Sequence, residues 1–426
     1  MRKRASITVD PLQKYFILFL IGILILFFLL RFLHLPESLG FGSDAGRDFL
    51  RMWTLVQEKS LTLIGPSSQY SVEGRYFYFG PAPYYIMIPA LIAGSWDVLF
   101  AAKYLIILNA ICLTLSLFIL QKSLKRSEIF MVYSFAVLCS VTPLFIEYSR
   151  TYWNPYFVVP VSILVSSSIF WIRHRGITTL NAVLLGFLFG LGMQFHYSYI
   201  LAIGVSVILL IIFRKLSIKS CLNITLGFIL GFLPLFLFEL RNNFHNIRTV
   251  FFVLNNGGSQ EISGIPFYYY ICLLPFFFLL VSWMLMKLYK NKPIISLGFL
   301  IIYSIVSLII IIPKPTHGFD MADNWNYPAL MTTADIIKSD NPRNYNIVDQ
   351  LSGDNRAMSL RYILTTMHIS PLGTSEYKDA DLIYVFSHEP IDKLLKDPVW
   401  EIATAGTKKK VKEWKINEDI MLYKLE

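Results

Sequence analysis

Charge is scarce in this chain. Only 15% of its 426 residues are Asp, Glu, Lys or Arg, and 55% are hydrophobic. Soluble domains carry about 25% charged residues, so the scarcity excludes an ordinary soluble fold and points to a membrane protein. Cysteine is scarce too. Cys112, Cys139, Cys221 and Cys272 each lie in or beside an apolar run, and no pair has metal-ligand spacing. They read as small hydrophobes, and the stretch beyond residue 314, which has no cysteine, folds without a disulfide. A long-period internal repeat and low-complexity tracts are also missing. A net charge of +10 would suggest nucleic acid in a soluble protein. Here the basic residues (Lys122, Lys125, Arg126, Arg173, Arg175, Arg214, Lys215, Lys287, Lys290, Lys292) sit in short loops between apolar runs, a topology signal that excludes a nucleic-acid partner.

What the chain has is long apolar runs. Met1–Lys14 is basic, and Tyr15–Leu33 follows at close to the roughly 20 residues that cross a bilayer. The run is too long for a signal-peptide core and lacks a small-residue cleavage site, so it reads as an uncleaved first helix starting inside. Further spans are expected at Leu99–Leu120, Ile129–Ile146, Tyr156–Ile172, Leu180–Phe195, Tyr199–Phe213, Cys221–Leu240, Ile265–Met286 and Ile294–Ile312. Pro81–Gly94 is short and proline-rich. Counting it as a span would put every later basic cluster outside, so it reads as re-entrant or interfacial. The fold class is mainly α: a polytopic membrane bundle of about nine spans, with a small C-terminal extracytoplasmic α/β domain. Residues 1–313 form the membrane domain, with a first outer loop at 34–98, and residues 314–426 the outer domain. In the latter, Tyr345–Val348, Leu382–Phe386 and Ile420–Lys424 read as strands, and Tyr327–Lys338 and Arg356–His368 as helices. The chain is placed in the cytoplasmic (inner) membrane, N-terminus inside and C-terminal domain outside.

Gly40–Pro83 is the long polar segment of this apolar sequence. It carries Asp44, Arg47, Asp48, Arg51, Glu73 and Arg75, interleaved with Trp53, Tyr70, Tyr76 and Tyr78. An amphipathic helix is expected to follow Gly40 through Glu58. Ser43 or Asp44 then either caps that helix or, in the case of Asp44, serves as a general base at the lipid–water boundary. There a carboxylate takes the proton of an attacking hydroxyl and steadies an oxocarbenium-like transition state. Asp48, four residues on, shares its face. Two such carboxylates either hold a metal or pair with Arg47 and Arg51, and without a third ligand pairing is the commoner outcome. A departing phosphate needs cations on the same side: Arg47, Arg75, Arg150 and Arg241 are candidates, with snorkelling to lipid headgroups as the plainer alternative. His196 and Glu239 end apolar helices on the same outer side and join the binding set, as do Asn154 and Tyr84.

The set Asp44-Ala45-Gly46-Arg47, Gly80-Pro81-Ala82-Pro83-Tyr84-Tyr85, Tyr148-Ser149-Arg150 with Trp153-Asn154-Pro155, and Gly192-Met193-Gln194-Phe195-His196 is similar to bacterial C-type membrane glycosyltransferases. These resemble the dolichyl-phosphate-mannose protein mannosyltransferases and the lipid A aminoarabinose transferases. The likeness covers roughly residues 10–315. It implies a polyprenyl-phosphate sugar donor, inversion at the sugar carbon and no nucleotide-binding domain; no cofactor or metal site is read from the residues. It makes Asp44 the base, with Tyr76, Tyr78 and Tyr84 along the sugar or lipid groove. The acceptor would be a glycan, lipid or protein. Ala45 stands where the mannosyltransferases carry Glu. Gly80-Pro81-Ala82 stands where the aminoarabinose transferases carry Lys-Pro-Pro, and Arg75 is the candidate substitute for that lysine. Three rivals are a lipid-linked sugar flippase, an O-antigen ligase or polymerase, and an inactive binding relative. The first usually shows repeats and midplane charges. The second places its basic residues in a large later outer loop.

Overall fold

The computed structural model describes residues 15–72, 74–256, 266–396, 398–406 and 409–426. Met1–Lys14, Glu73, residues 257–264 of the Arg241–Gly264 segment, and Ile265, the first residue of an expected span, lie outside them. The chain is a multi-pass membrane protein. Its apolar runs form α1 (Phe16–Phe32), then α2 (Ser43–Gln57) in the first outer loop, α3 (Ala82–Ala93) and α4 (Val98–Ser123). Next come α5 (Ile129–Val141), α6 (Pro143–Arg150), α7 (Val158–Arg175), α8 (Thr179–Phe195) and α9 (Ile200–Ile212). The series continues with α10 (Ile218–Gly231), α11 (Leu233–Arg241), α12 (His245–Asn256), α13 (Leu274–Asn291) and α14 (Pro293–Ile311). Among the described residues four helical stretches are long and apolar enough to cross a membrane singly, or up to six with the two bent pairs. Helix α3, at 12 residues, is about 18 Å long against a hydrocarbon core of about 30 Å.

Two expected straight spans are bent. The breaks between α5 and α6 (64°) and between α10 and α11 (76°) fall just before Pro143 and Pro234. A proline there lacks the N–H that would continue the ladder, and its ring clashes with the preceding turn. The expected helix from Ile265 starts instead at Leu274, after two 3-10 turns. Helices α8 and α10 pack backbone to backbone. A Cβ on Gly186 would lie 2.0 Å from the Ile224 carbonyl oxygen, and one on Gly227 2.0 Å from that of Val183. Glycines four apart on both helices, Gly186 and Gly190 facing Gly227 and Gly231, permit this approach.

Beyond α14 come α15 (Tyr327–Asp340), β3 (Tyr345–Asp349), α16 (Met358–Thr366), β4 (Leu382–Ser387), α17 (Ile391–Lys396), α18 (Trp400–Ala405), β5 (Lys410–Lys415) and β6 (Met421–Leu425). The sheet order is β3-β4-β6-β5, with β3 and β4 parallel across the α16 crossover and the other pairs antiparallel. Strands β3 and β4 are buried throughout, which is why apolar residues dominate them, with Asn346 and Asp349 the buried polar members of β3. One face packs Ile347, Tyr384 and Phe386 with α15 and α16, and the other packs Val348, Ile383 and Val385 with α17 and α18. Strand β5 escapes a sequence reading because it is a lysine-bearing, mostly exposed edge. The hairpin β1 (Ser67–Val72) with β2 (Arg75–Tyr78) in the first outer loop was likewise not expected.

Backbone contacts fasten the C-terminal segment to the first outer loop. The Phe319 N–H donates to the Ser38 carbonyl at 2.9 Å. A Cβ on Gly40 would lie 2.4 Å from the Phe319 carbonyl oxygen, and one on Gly318 2.4 Å from that of Leu39. A Cβ on Gly46 would lie 2.3 Å from the Ser359 nitrogen, so α2 and the start of α16 also touch through backbone.

Candidate active site

Helix α2 is amphipathic. Ala45, Phe49, Met52 and Leu55 go inward, and Asp48 goes with them. Its N-cap is Gly42, in extended conformation and without a side-chain cap bond. Neither Ser43 nor Asp44 caps; both are first-turn residues, where a carboxylate also meets the positive end of the helix dipole.

Both oxygens of Asp44 are held. Arg47 Nη1 donates to Oδ1 at 2.6 Å, and Trp153 Nε1 donates to Oδ2 at 3.0 Å. Arg47 also donates through Nε to Asp48 at 2.9 Å. Asp48 is 0% exposed and further receives the hydroxyls of Tyr84 and Tyr152, each at 3.2 Å. Burial pushes its carboxyl up to about 6, with Arg47 beside it opposing the rise. Burial works against the Arg47 charge, but Asp48 and Asp44 outweigh it and raise its pKa. The same-face carboxylates therefore pair with Arg47. Among the described residues no group of three or more His, Cys, Asp or Glu is placed to hold a metal.

Trp153 and Tyr152 arrive from the bent pair α5–α6. The bend leaves carbonyls open, and Arg31, 1% exposed, fills them: it donates to the Ser140 carbonyl at 2.9 Å, the Cys139 carbonyl at 3.3 Å and Ser149 Oγ at 2.7 Å. One turn later Arg150 pairs with Glu147 (Nε to Oε2, 2.9 Å) and donates to the Leu33 carbonyl at 3.1 Å.

Asp44, Arg47, Tyr152 and Trp153 border a cavity of about 750 Å³. Gly40–Arg47 and Thr151–Tyr156 contribute one side, with Tyr268. Phe319–Trp325 and the β3–α16 turn (Asp349, Ser352, Asn355, Arg356) contribute the other. A slot of about 40 Å³ shares Asp44, Arg47, Trp153 and Tyr268 with it, and adds Phe79, Asn154, His196 and Tyr269. His196 stacks on Phe79 and shares a 2.7 Å hydrogen bond with Ser198 Oγ; Asn154 Nδ2 donates to the Phe195 carbonyl at 2.9 Å.

The structure thus gathers Asp44, Arg47, Asp48, Tyr84, Asn154 and His196 into one neighbourhood. A second group gathers around the hairpin and borders neither the cavity nor the slot. Arg75 lies over the Phe252 ring at 4.3 Å, and Tyr76 is exposed. The backbone of Tyr78 is clasped by Asn246 (2.8 and 3.1 Å) and Tyr197 Oη (2.7 Å). Glu239 accepts the N–H groups of Asn246 and Ile247 at 3.1 and 3.3 Å, at the start of α12. Arg241 is exposed at the end of α11, and Arg150 is buried against Glu147. Tyr268, Asp320 and the β3–α16 turn were not singled out from the sequence. Trp153 stood in the quoted Trp153-Asn154-Pro155 without a role, and Ser352-Gly353-Asp354-Asn355 has turn composition; neither pattern points across the molecule to Asp44.

No family model and no curated protein matches the chain. Among solved structures it is similar to ArnT from Cupriavidus metallidurans, determined bound to undecaprenyl phosphate, at 11% sequence identity and a TM-score of 0.55. The match covers 97% of this chain and 98% of that one, so the two share the polytopic membrane fold with its C-terminal α/β part.

Proposed function

We propose that this chain is an integral-membrane glycosyltransferase. It moves a sugar from a polyprenyl-phosphate donor to an acceptor outside the cytoplasmic membrane, N-terminus inside and C-terminal domain outside. One observation carries the reading: the Asp44–Arg47 pair borders a cavity of about 750 Å³ where the first outer loop meets the C-terminal segment. The fold shared with a protein solved on undecaprenyl phosphate supports the donor class.

In this reading the acceptor hydroxyl attacks the anomeric carbon from the face opposite the phosphate. The new C–O bond forms as the bond to the phosphate oxygen breaks, giving inversion. Asp44 takes the hydroxyl proton on a lone pair left free by Arg47 and Trp153, and its charge steadies the oxocarbenium-like centre. Arg47 is the cation nearest the reacting groups and meets the leaving phosphate, and Asp48 holds it in place. Arg75, Arg150 and Arg241 are secondary phosphate candidates, since each lies off the cavity. The test is sugar transfer by purified protein in liposomes across a panel of polyprenyl-phosphate sugars, with wild type beside Asp44→Asn. Turnover of one donor by wild type, lost in the variant at unchanged donor binding, supports the assignment. Equal turnover by both returns Asp44 to a structural role.

A further inference from the structure

Asp320 stands out in the cavity. Asp44 gives both oxygens to Arg47 and Trp153, Asp354 is gripped by Arg356 (2.7 and 2.8 Å), and Asp349 accepts the Leu351 N–H at 2.8 Å and the Ser352 hydroxyl at 2.9 Å. Asp320 is exposed at the cavity mouth and has no hydrogen bond or ion pair among the described residues, so its carboxylate is open to a ligand. Its place is fixed all the same, because the close Gly40 and Gly318 contacts lock its turn onto the start of α2. Its carboxyl is raised by burial and by the nearby charge of Asp44, so the two carboxylates feel each other across the cavity.

We propose that Asp320 and the β3–α16 turn form the acceptor subsite, and that the acceptor they take is a neutral, hydroxyl-rich glycan. Sugar hydroxyls both donate and accept, and this wall offers both kinds of group: the carboxylate of Asp320, and the lone pair and N–H groups that Asn355 and Arg356 keep beyond their bonds to Gln350, Glu401 and Asp354. Trp153 and Tyr268 add aromatic surface for the apolar face of a sugar ring. The C-terminal side carries the carboxylates of Asp320, Asp349, Asp354 and Glu401 against Arg356, which disfavours a phosphate-bearing acceptor. A basic peptide fits less well, because Asp349 and Asp354 are already satisfied internally. One hydroxyl of the glycan then donates to Asp320 while its neighbour presents its proton to Asp44. The subsite deepens the sugar-transfer reading and rests on it for the word acceptor.

The experiment measures binding of neutral oligosaccharides of two to four sugars to the full chain in detergent. Polyprenyl-phosphate sugar binding is measured in parallel, and a thermal melt checks each variant. Asp320→Asn and Asn355→Ala are expected to weaken oligosaccharide binding about tenfold or more while donor binding holds. If no oligosaccharide binds wild type, if both variants bind as wild type does, or if only a lysine-rich peptide binds, the subsite is overturned. If oligosaccharides bind as expected and no lipid-phosphate sugar does, the subsite stands and the sugar-transfer reading falls.

Discussion

At the residue scale, the network Asp44–Arg47–Asp48 couples a surface carboxylate to a buried one. Asp44→Asn is expected to lower kcat by about 10² to 10⁴, the usual contribution of a general base, with little change in donor affinity. Asp48 acts through Arg47. Its carboxyl is raised from 3.8 to about 6 by burial, so the protonated form is favoured in the folded protein. The stability this provides is fully present below about pH 4 and is lost as pH rises through about 6. Activity runs the other way, because protonated Asp48 grips Arg47 less well. The rate is expected to fall as pH drops through about 6, and in Asp48→Asn that acid limb disappears while the neutral-pH rate drops about tenfold. A pH–rate profile of both proteins checks this; an acid limb unchanged in the variant would remove Asp48 from the account.

At the element scale, backbone contacts and bends do the positioning. Gly46→Val places methyl groups where the Met358–Ser359 backbone already lies and must push α16 off α2. A loss of about 1–3 kcal/mol is expected, read as a lower melting temperature in detergent. The substitution also widens the cavity wall, so acceptor KM should rise more than donor KM. Arg31 illustrates a charge whose role is architectural: it satisfies carbonyls that the α5–α6 bend leaves open, and α6 then delivers Tyr152 and Trp153 to Asp48 and Asp44. Arg31→Met strands those carbonyls in an apolar setting at about 1–3 kcal/mol each. Arg31→Lys, which keeps a donor, is expected to recover part of the melting temperature; if methionine is tolerated without loss, the bend is held by packing alone.

At the scale of the whole molecule, the proposed cavity requires that the C-terminal segment and the first outer loop lie on one side of the membrane. A cysteine placed at Ser352 in an otherwise cysteine-free background is expected to react with a membrane-impermeant maleimide from outside. One placed at the exposed Ser127 should react only after permeabilisation. Labelling of Ser352→Cys from the cytoplasmic side alone would invert the topology and with it the assignment of an outer acceptor.

The apolar runs, the loop charges and the polar island at Gly40–Pro83 determined much by themselves. Burial in lipid demands closed backbone hydrogen bonding and long apolar helices, so the bundle is written in composition. Strands β3 and β4 were legible for a related reason: buried on both faces, they are mostly apolar, with Asn346 and Asp349 of β3 held by hydrogen bonds. Asp44 and Arg47 were legible because three residues on a helix brings them together. The partners of that pair were not. Trp153 lies 109 residues from Asp44 in sequence, and Asp320 and the β3–α16 turn lie farther still. The loop charges put Arg75, Arg150 and Arg241 on the side expected for Asp44, yet side alone does not put a guanidinium in a cavity. Only the tertiary structure decided that, through prolines that bend two spans and glycines that let the C-terminal segment close against the first outer loop. Such contacts depend on distance in space, and local pattern carries no record of it.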